Sequence, residues 1–201
     1  FSRTELSVAE SKADLDTSVA MAHAALGDIK AAEDALGRAL QAVPDYAPAL
    51  TGQARLKATT KDLPGAEALI DTVLAKNPQL HDAWKLKGDL RLAAGMVDEG
   101  LEAYGKAIAI KPDFLPAYIA SISVMLSSDK LEAAGKQLDS LKKVAPKHPQ
   151  VVYLSTRYAL VKKDYAKARE SSQQLLKVMP NNPASLSLAG AIELHFKALV
   201  Q

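Results

Sequence analysis

Residues 84–112 read WKLKGDLRLAAGMVDEGLEAYGKAIAIKP, two amphipathic segments on either side of Gly95. On the first, Trp84 and Gly88 lie four positions apart; on the second, Tyr104 and Ala107 lie three apart. Both spacings make helical neighbours. Pro112 closes the stretch, and one constant step along the chain leads from it to Pro146 and Pro180 forwards and to Pro78 and Pro44 backwards. Five prolines in one register mark an internal repeat that covers nearly the whole chain.

That period, with an aromatic and a small residue early, small residues in the middle and a terminal proline, resembles the tetratricopeptide repeat, a helix–turn–helix unit that stacks into a solenoid. The resemblance implies an all-α fold, a right-handed α-solenoid. With Pro112 as position 32, Trp84 falls at 4, Gly88 at 8, Gly100 at 20, Tyr104 at 24 and Ala107 at 27. Two positions depart from the family pattern: Lys87 stands at 7, where leucine is usual, and Arg91 at 11, where tyrosine is usual. The expected division is an N-terminal helical extension over 1–12, five repeats over 13–46, 47–80, 81–114, 115–148 and 149–182, and a partial sixth repeat or capping helix over 183–201.

Composition agrees with helices. Of the 201 residues 48% are hydrophobic and only 5% aromatic, with much alanine and leucine, which favour helix. The 25 Lys and Arg against 23 Asp and Glu leave a net charge of +2, so no strong field draws the chain to nucleic acid or a membrane. Without cysteine there is no disulfide framework and no thiolate chemistry. No apolar run approaches the roughly 20 residues of a membrane span, so this stretch is not expected to insert in a membrane directly. It begins at Phe1 and stops at Gln201 inside what reads as the first helix of a further repeat, so it reads as a piece of a longer protein.

In chain order, Ser2 and Glu5 have capping-box spacing, and no proline or glycine interrupts the run before Gly27. The first helix is therefore expected unbroken to about Leu26, a break near Lys12 being the competing reading, with Gly27 at a left-handed C-terminal position and Asp28 capping the next helix. Turns are expected about Gly27, Lys61, Gly95, Asp129 and Lys163. Pro48, Pro116, Pro149 and Pro183 open helices, where a proline costs no hydrogen bond. Ala32, Leu36, Ala39, Ala54, Ala66, Ile70, Val73, Ala134, Leu138, Leu141 and Ala168 are the expected packing residues. Leu186, Leu188, Ile192, Leu194 and Phe196 crowd the last helix, making it a cap for the stack and an association surface for self-association.

From Leu69 to Phe196 the wording is more particular: LIDTVLAKNP, WKLKGDL, AYGKAIAIKP, VKKDYAKARE and LAGAIELHF. It resembles the tetratricopeptide lipoproteins found beside bacterial exosortase, or PEP-CTERM, sorting systems and exopolysaccharide genes. That resemblance implies an exported bacterial protein, periplasmic or anchored to the outer membrane by lipid, with a supporting role in extracellular protein sorting or polysaccharide export.

Chemistry-bearing constellations are missing. None of His23, His81, His148 and His195 has an i, i+4 histidine partner or the spacing of a zinc site, so no metal is expected. No nucleophile elbow or phosphate-binding loop occurs, so neither cofactor nor catalysis is expected. Trp84 and Tyr104 fall at core positions rather than on a sugar platform. A one-base-per-repeat RNA reader would need recurring polar residues and a basic face. The asparagines Asn77, Asn181 and Asn182 sit near repeat ends, and Lys142, Lys143, Lys162 and Lys163 match helix C-termini, so nucleic acid is not an expected partner.

The family resemblance implies a binding scaffold for a protein or peptide, with positions 2, 5, 9, 12 and 13 of each first helix pointing into a concave groove. Carried onto this sequence, they nominate Arg55, Lys85, Asp89, Ile119, Leu126, Tyr153, Arg157, Leu160 and Val161 as partner-binding residues. The groove starts mixed and ends apolar, a trough edged by Arg157 and suited to an amphipathic helix or an extended peptide; the other reading is a trough that packs on itself or on another part of a longer solenoid. The alternative is the regulatory arm of a larger enzyme such as a glycosyltransferase.

Overall fold

The computed structural model describes residues 3–200, all α-helix and connecting turns, with no strand among the described residues. Ser2, and with it the expected capping box, lies outside them. The chain divides into two compact units, Phe1–Ile110 and Lys111–Gln201. The first holds α1 (Arg3–Ala25), α2 (Ile29–Ala42), α3 (Ala47–Thr59), α4 (Leu63–Lys76), α5 (His81–Ala93) and α6 (Val97–Ile110). The second holds α7 (Leu115–Ser127), α8 (Leu131–Val144), α9 (Pro149–Val161), α10 (Tyr165–Val178) and α11 (Pro183–Val200). As the absence of a breaker before Gly27 foretells, α1 runs uninterrupted through Lys12.

Every hairpin turns on a left-handed residue. Gly27, Lys61, Gly95, Asp129 and Lys163, evenly spaced along the chain, have φ of 80°, 66°, 80°, 55° and 60°. The amide of the residue after each reaches back to a carbonyl in the last turn of the preceding helix: Asp28 to His23, Asp62 to Lys57, Met96 to Arg91, Lys130 to Met125 and Asp164 to Ala159, at 2.8–3.0 Å. This closes the end of each helix in a Schellman arrangement. Asp28, Asp62 and Asp164 then cap the next helix, their carboxylates accepting from the amides of Ala31, Gly65 and Lys167 at 3.1, 3.0 and 3.2 Å. Lys57 donates to Asp62 at 2.6 Å, and this bond, with the amide of Gly65, holds the Asp62 carboxyl below its ordinary range.

In each unit consecutive helices pair across these turns, and the first helices of successive pairs lie side by side, α1, α3 and α5 in one unit and α7, α9 and α11 in the other. The second helices supply the core in one register. Leu36, Ile70, Tyr104 and Leu138 recur once per repeat and are buried, as are Ala39, Val73, Ala107, Leu141 and Leu175. Alongside them Ala32, Ala66, Gly100, Ala134 and Ala168 are all small and buried, because there a helix backbone must come close.

The approach of α5 to α6 is especially tight. A Cβ at Gly88 would lie 2.5 Å from Cε1 of Tyr104 and 3.1 Å from the carbonyl oxygen of Gly100; one at Gly100 would lie 2.9 Å from the Leu92 side chain. Two glycines thus let Tyr104, only 1% exposed, fill the gap with its ring. Tyr104 is core, as its position implies. Trp84 is half-buried instead: its indole N–H donates to the Pro78 carbonyl at 2.8 Å, tying down the inter-repeat turn, and its ring carries the ammonium of Lys106 at 4.6 Å.

The two departures from the family pattern have a shared cause. Lys87 reaches Asp71 at 2.6 Å, and Arg91 bridges Glu67 at 2.7 Å and Glu99 at 3.1 Å. Ion pairs between α4, α5 and α6 replace the apolar contacts that leucine and tyrosine would make there. Lys106 pairs with Glu102 at 2.8 Å, and that bond holds the Glu102 carboxyl below its usual range.

On α11, Ile192 is fully buried against Ala159 and Ala168, and Leu188 packs beside it. Arg169 covers the Phe196 ring at 4.5 Å and pairs with Glu193 at 2.8 Å. Leu186 and Leu194 stay 51% and 72% exposed, so one stripe of the helix caps the stack and another remains open.

Candidate functional site

The nominated residues fall on the first helices of both units. In the first unit Lys85 and Asp89, one turn apart on α5, form an ion pair at 2.7 Å. The other carboxylate oxygen of Asp89 accepts from the hydroxyl of Tyr104 at 2.7 Å. Burial, followed by this bond to Asp89, pushes the ionisation of Tyr104 well above the ordinary tyrosine range. Lys85 and Asp89 are therefore fastened to the core through Tyr104, a link from one helix of the pair to the other that periodicity alone does not reveal. Arg55, on α3, is exposed, and no carboxylate lies near its guanidinium among the described residues.

In the second unit α9 touches α7, α8, α10 and α11. Val151, Leu154 and Ala159 are buried in that enclosure, and Tyr158 turns its hydroxyl onto Gly135 of α8, where a Cβ would sit 2.6 Å away. The remaining positions of the helix are half-buried or exposed. Tyr153, Arg157 and Val161 follow one another at i, i+4 and i+8, half-buried at the first two and 37% exposed at the last. The guanidinium of Arg157 lies 5.9 Å from the centre of the Tyr153 ring. On α7 the equivalent stripe is Ile119, Ser123 and Ser127, the first two half-buried.

Two nominated residues sit deeper than the expectation places them. Leu126 is only 5% exposed, and Leu160 packs on the cluster of Ala159, Ala168 and Ile192. Position 12 lies on the flank of the first helix, close enough to the second helix of the same pair that a leucine there joins the core. The accessible part of these stripes is Ile119, Ser123, Ser127, Tyr153, Arg157 and Val161.

The histidines are dispersed. His148 caps α9, its Nδ1 accepting from the amide of Gln150 at 3.2 Å; His195 stacks on Tyr165 with ring centres 5.6 Å apart; His23 lies 3.7 Å from Asp28. Among the described residues no three His, Asp or Glu side chains gather as for a metal ion, and no helix is long and apolar enough to cross a membrane.

Known proteins share this arrangement of helices. The profile of the tetratricopeptide-repeat family matches residues 23–90 and 91–158. A curated relative, the protein CTR9 homolog of Arabidopsis thaliana, is 29% identical over 126 residues, which are 60% of this chain and 11% of that protein, so the chain spans about a tenth of it. A tetratricopeptide-repeat protein of Parabacteroides merdae superposes with a TM-score of 0.74 at 14% identity, covering 93% of this chain and 74% of that one. YrrB, described as a tetratricopeptide-repeat protein with an unusual peptide-binding site, superposes with a TM-score of 0.62 at 15% identity, covering 84% and 87%.

Proposed function

The chain belongs to the tetratricopeptide-repeat family, and from that premise we propose that it is a non-catalytic interaction scaffold, binding a peptide or helix along the outward stripes of its first helices. The observation that carries this reading is the enclosure of α9. Val151, Leu154, Thr156 and Ala159 are buried among its neighbours, whereas Tyr153 and Arg157 are half-buried and Val161 is exposed, so an aromatic, an arginine and a valine one turn apart keep accessible surface. Aromatic and arginine anchors commonly dominate interfaces. The peptide-binding site for which YrrB is described supports the same use of the fold here.

The finer reading is a supporting part in bacterial extracellular protein sorting or polysaccharide export, from the periplasm or an outer-membrane anchor. Its support is the wording of residues 69–196. Fractionation of the native cell with an antibody to this chain tests it: recovery in the periplasm or outer membrane is expected, and recovery with cytosolic proteins overturns it.

The scaffold itself is tested by affinity capture with the full chain, followed by titration of the captured partner. The double variant Tyr153→Ala, Arg157→Ala should stay folded and lose about 2 kcal/mol or more of binding. Lys136→Ala with Glu170→Ala, both exposed on second helices, should leave binding unchanged. The reverse pattern would move the working surface to the second-helix side.

A further inference from the structure

The arginines with described side chains separate into two groups. Arg38, Arg91 and Arg169 each hold a carboxylate, Asp16 at 2.9 Å, Glu67 at 2.7 Å and Glu193 at 2.8 Å. Arg55 and Arg157 hold none within 4.0 Å. Both unpaired arginines occupy the ninth position of a first helix, on the outward stripe. Lys85 shares that stripe but is already answered by Asp89.

Around Arg157 the imbalance is sharpest. The outward positions of the second unit are Ile119, Ser123 and Ser127 on α7, Tyr153, Arg157 and Val161 on α9, and Ser187, Ala191 and His195 on α11. Among these described residues Arg157 is the sole side chain of fixed charge. It is half-buried, its guanidinium carbon 5.9 Å from the centre of the Tyr153 ring, and no carboxylate lies within 4.0 Å of its nitrogens among the described residues. A guanidinium fork is matched by a carboxylate, which it binds with two parallel hydrogen bonds. Partial burial beside apolar neighbours strengthens that pairing over one in open water.

We propose that the outward stripe of the second unit recognises an acidic side chain set between apolar ones in the partner's chain, the carboxylate seated on Arg157 and its apolar neighbours on Tyr153, Val161 and Ile119. The proposal rests on the docking reading above and adds the partner's chemistry to it. The stripe continues a turn beyond Arg157 in both directions, to Tyr153 and to Val161, so the carboxylate belongs in the middle of a segment; a chain terminus would leave one side of the stripe bare.

Selection of a random peptide library, displayed both with free C-termini and as internal inserts, on the full immobilised chain tests this. Selected peptides should carry an internal Asp or Glu flanked by aliphatic or aromatic residues. The consensus peptide should bind about tenfold or more weakly when its acid is replaced by the matching amide, and equally so to Arg157→Gln. Selection on Arg157→Glu should instead enrich Lys or Arg at that place. Helical circular dichroism verifies that the variants fold. If the amide peptide binds as well as the acid while Tyr153→Ala still abolishes binding, the acidic partner is wrong and the docking face stands. Enrichment of terminal carboxylates alone overturns the internal placement. If no peptide is enriched, or binding survives both Tyr153→Ala and Arg157→Gln, the docking reading falls as well.

Discussion

Replacing one glycine by alanine should destabilise this protein, and making the same change at another glycine, on the very next helix, should stabilise it. Both Gly88 and Gly105 are interior to helices, α5 and α6, so each substitution gains about 1 kcal/mol of helix propensity. At Gly105 the new methyl meets nothing within 4 Å, and that gain should appear nearly whole. At Gly88 it would stand 2.5 and 2.7 Å from two ring carbons of Tyr104 and 3.1 Å from the Gly100 carbonyl oxygen. The ring cannot swing away cheaply, because it is 1% exposed and its hydroxyl is held by Asp89 at 2.7 Å. Overpacking of this kind costs about 1–3 kcal/mol, and with backbone opposite the methyl the upper end applies. The net for Gly88→Ala is then a loss of about 2 kcal/mol. Urea unfolding followed by circular dichroism and by fluorescence of Trp84, the chain's sole tryptophan, reads both variants in one neighbourhood. Equal midpoints for Gly88→Ala and Gly105→Ala would refute the close packing of α5 on α6.

Ala107→Leu, at a fully buried position of the same pair, should destabilise by about 1–3 kcal/mol, whereas Lys111→Leu on the exposed turn should change the urea midpoint little. Gly95→Ala places a Cβ at φ of 80° and should cost about 1–2 kcal/mol, while Asp129→Gly, relieving the same strain at φ of 55°, should not destabilise; thermal melts compare them. Tyr104 keeps its proton more tightly when folded, so what its hydroxyl contributes is complete below the unfolded value of about pH 10 and falls as the pH climbs past it. The stability difference between the native chain and Tyr104→Phe should therefore shrink between about pH 9 and pH 11 in urea titrations, and a constant difference would contradict the buried bond to Asp89.

What the sequence discloses follows from what repeats. The prolines and the small residues at 32, 66, 100, 134 and 168 locate the helices, and the same period places turns at Lys61, Asp129 and Lys163, whose left-handed φ their residue types do not suggest. What it conceals is particular to one repeat. Lys87 and Arg91 look like defects until Asp71 and Glu67 are seen on the neighbouring helix, which belongs to the repeat before. That complementary charge in the preceding repeat was the available signal. The bond from Tyr104 to Asp89 depends on how far a ring reaches through the gap left by two glycines, a distance no pattern of residue types encodes. Register assigns Leu126 and Leu160 to the expected groove face, but their depth depends on how closely the second helix of each pair lies.

A scaffold of the proposed kind would engage its partner along the outward stripes of the first helices. Hydrogen exchange of the full chain, with and without a saturating peptide selected on it, measures this along every helix at once. Slowed exchange is expected to concentrate in 119–127 of α7 and 153–161 of α9, with α8 and α10 unchanged. Protection confined to α8 and α10, with the first helices exchanging as in the free protein, would contradict it.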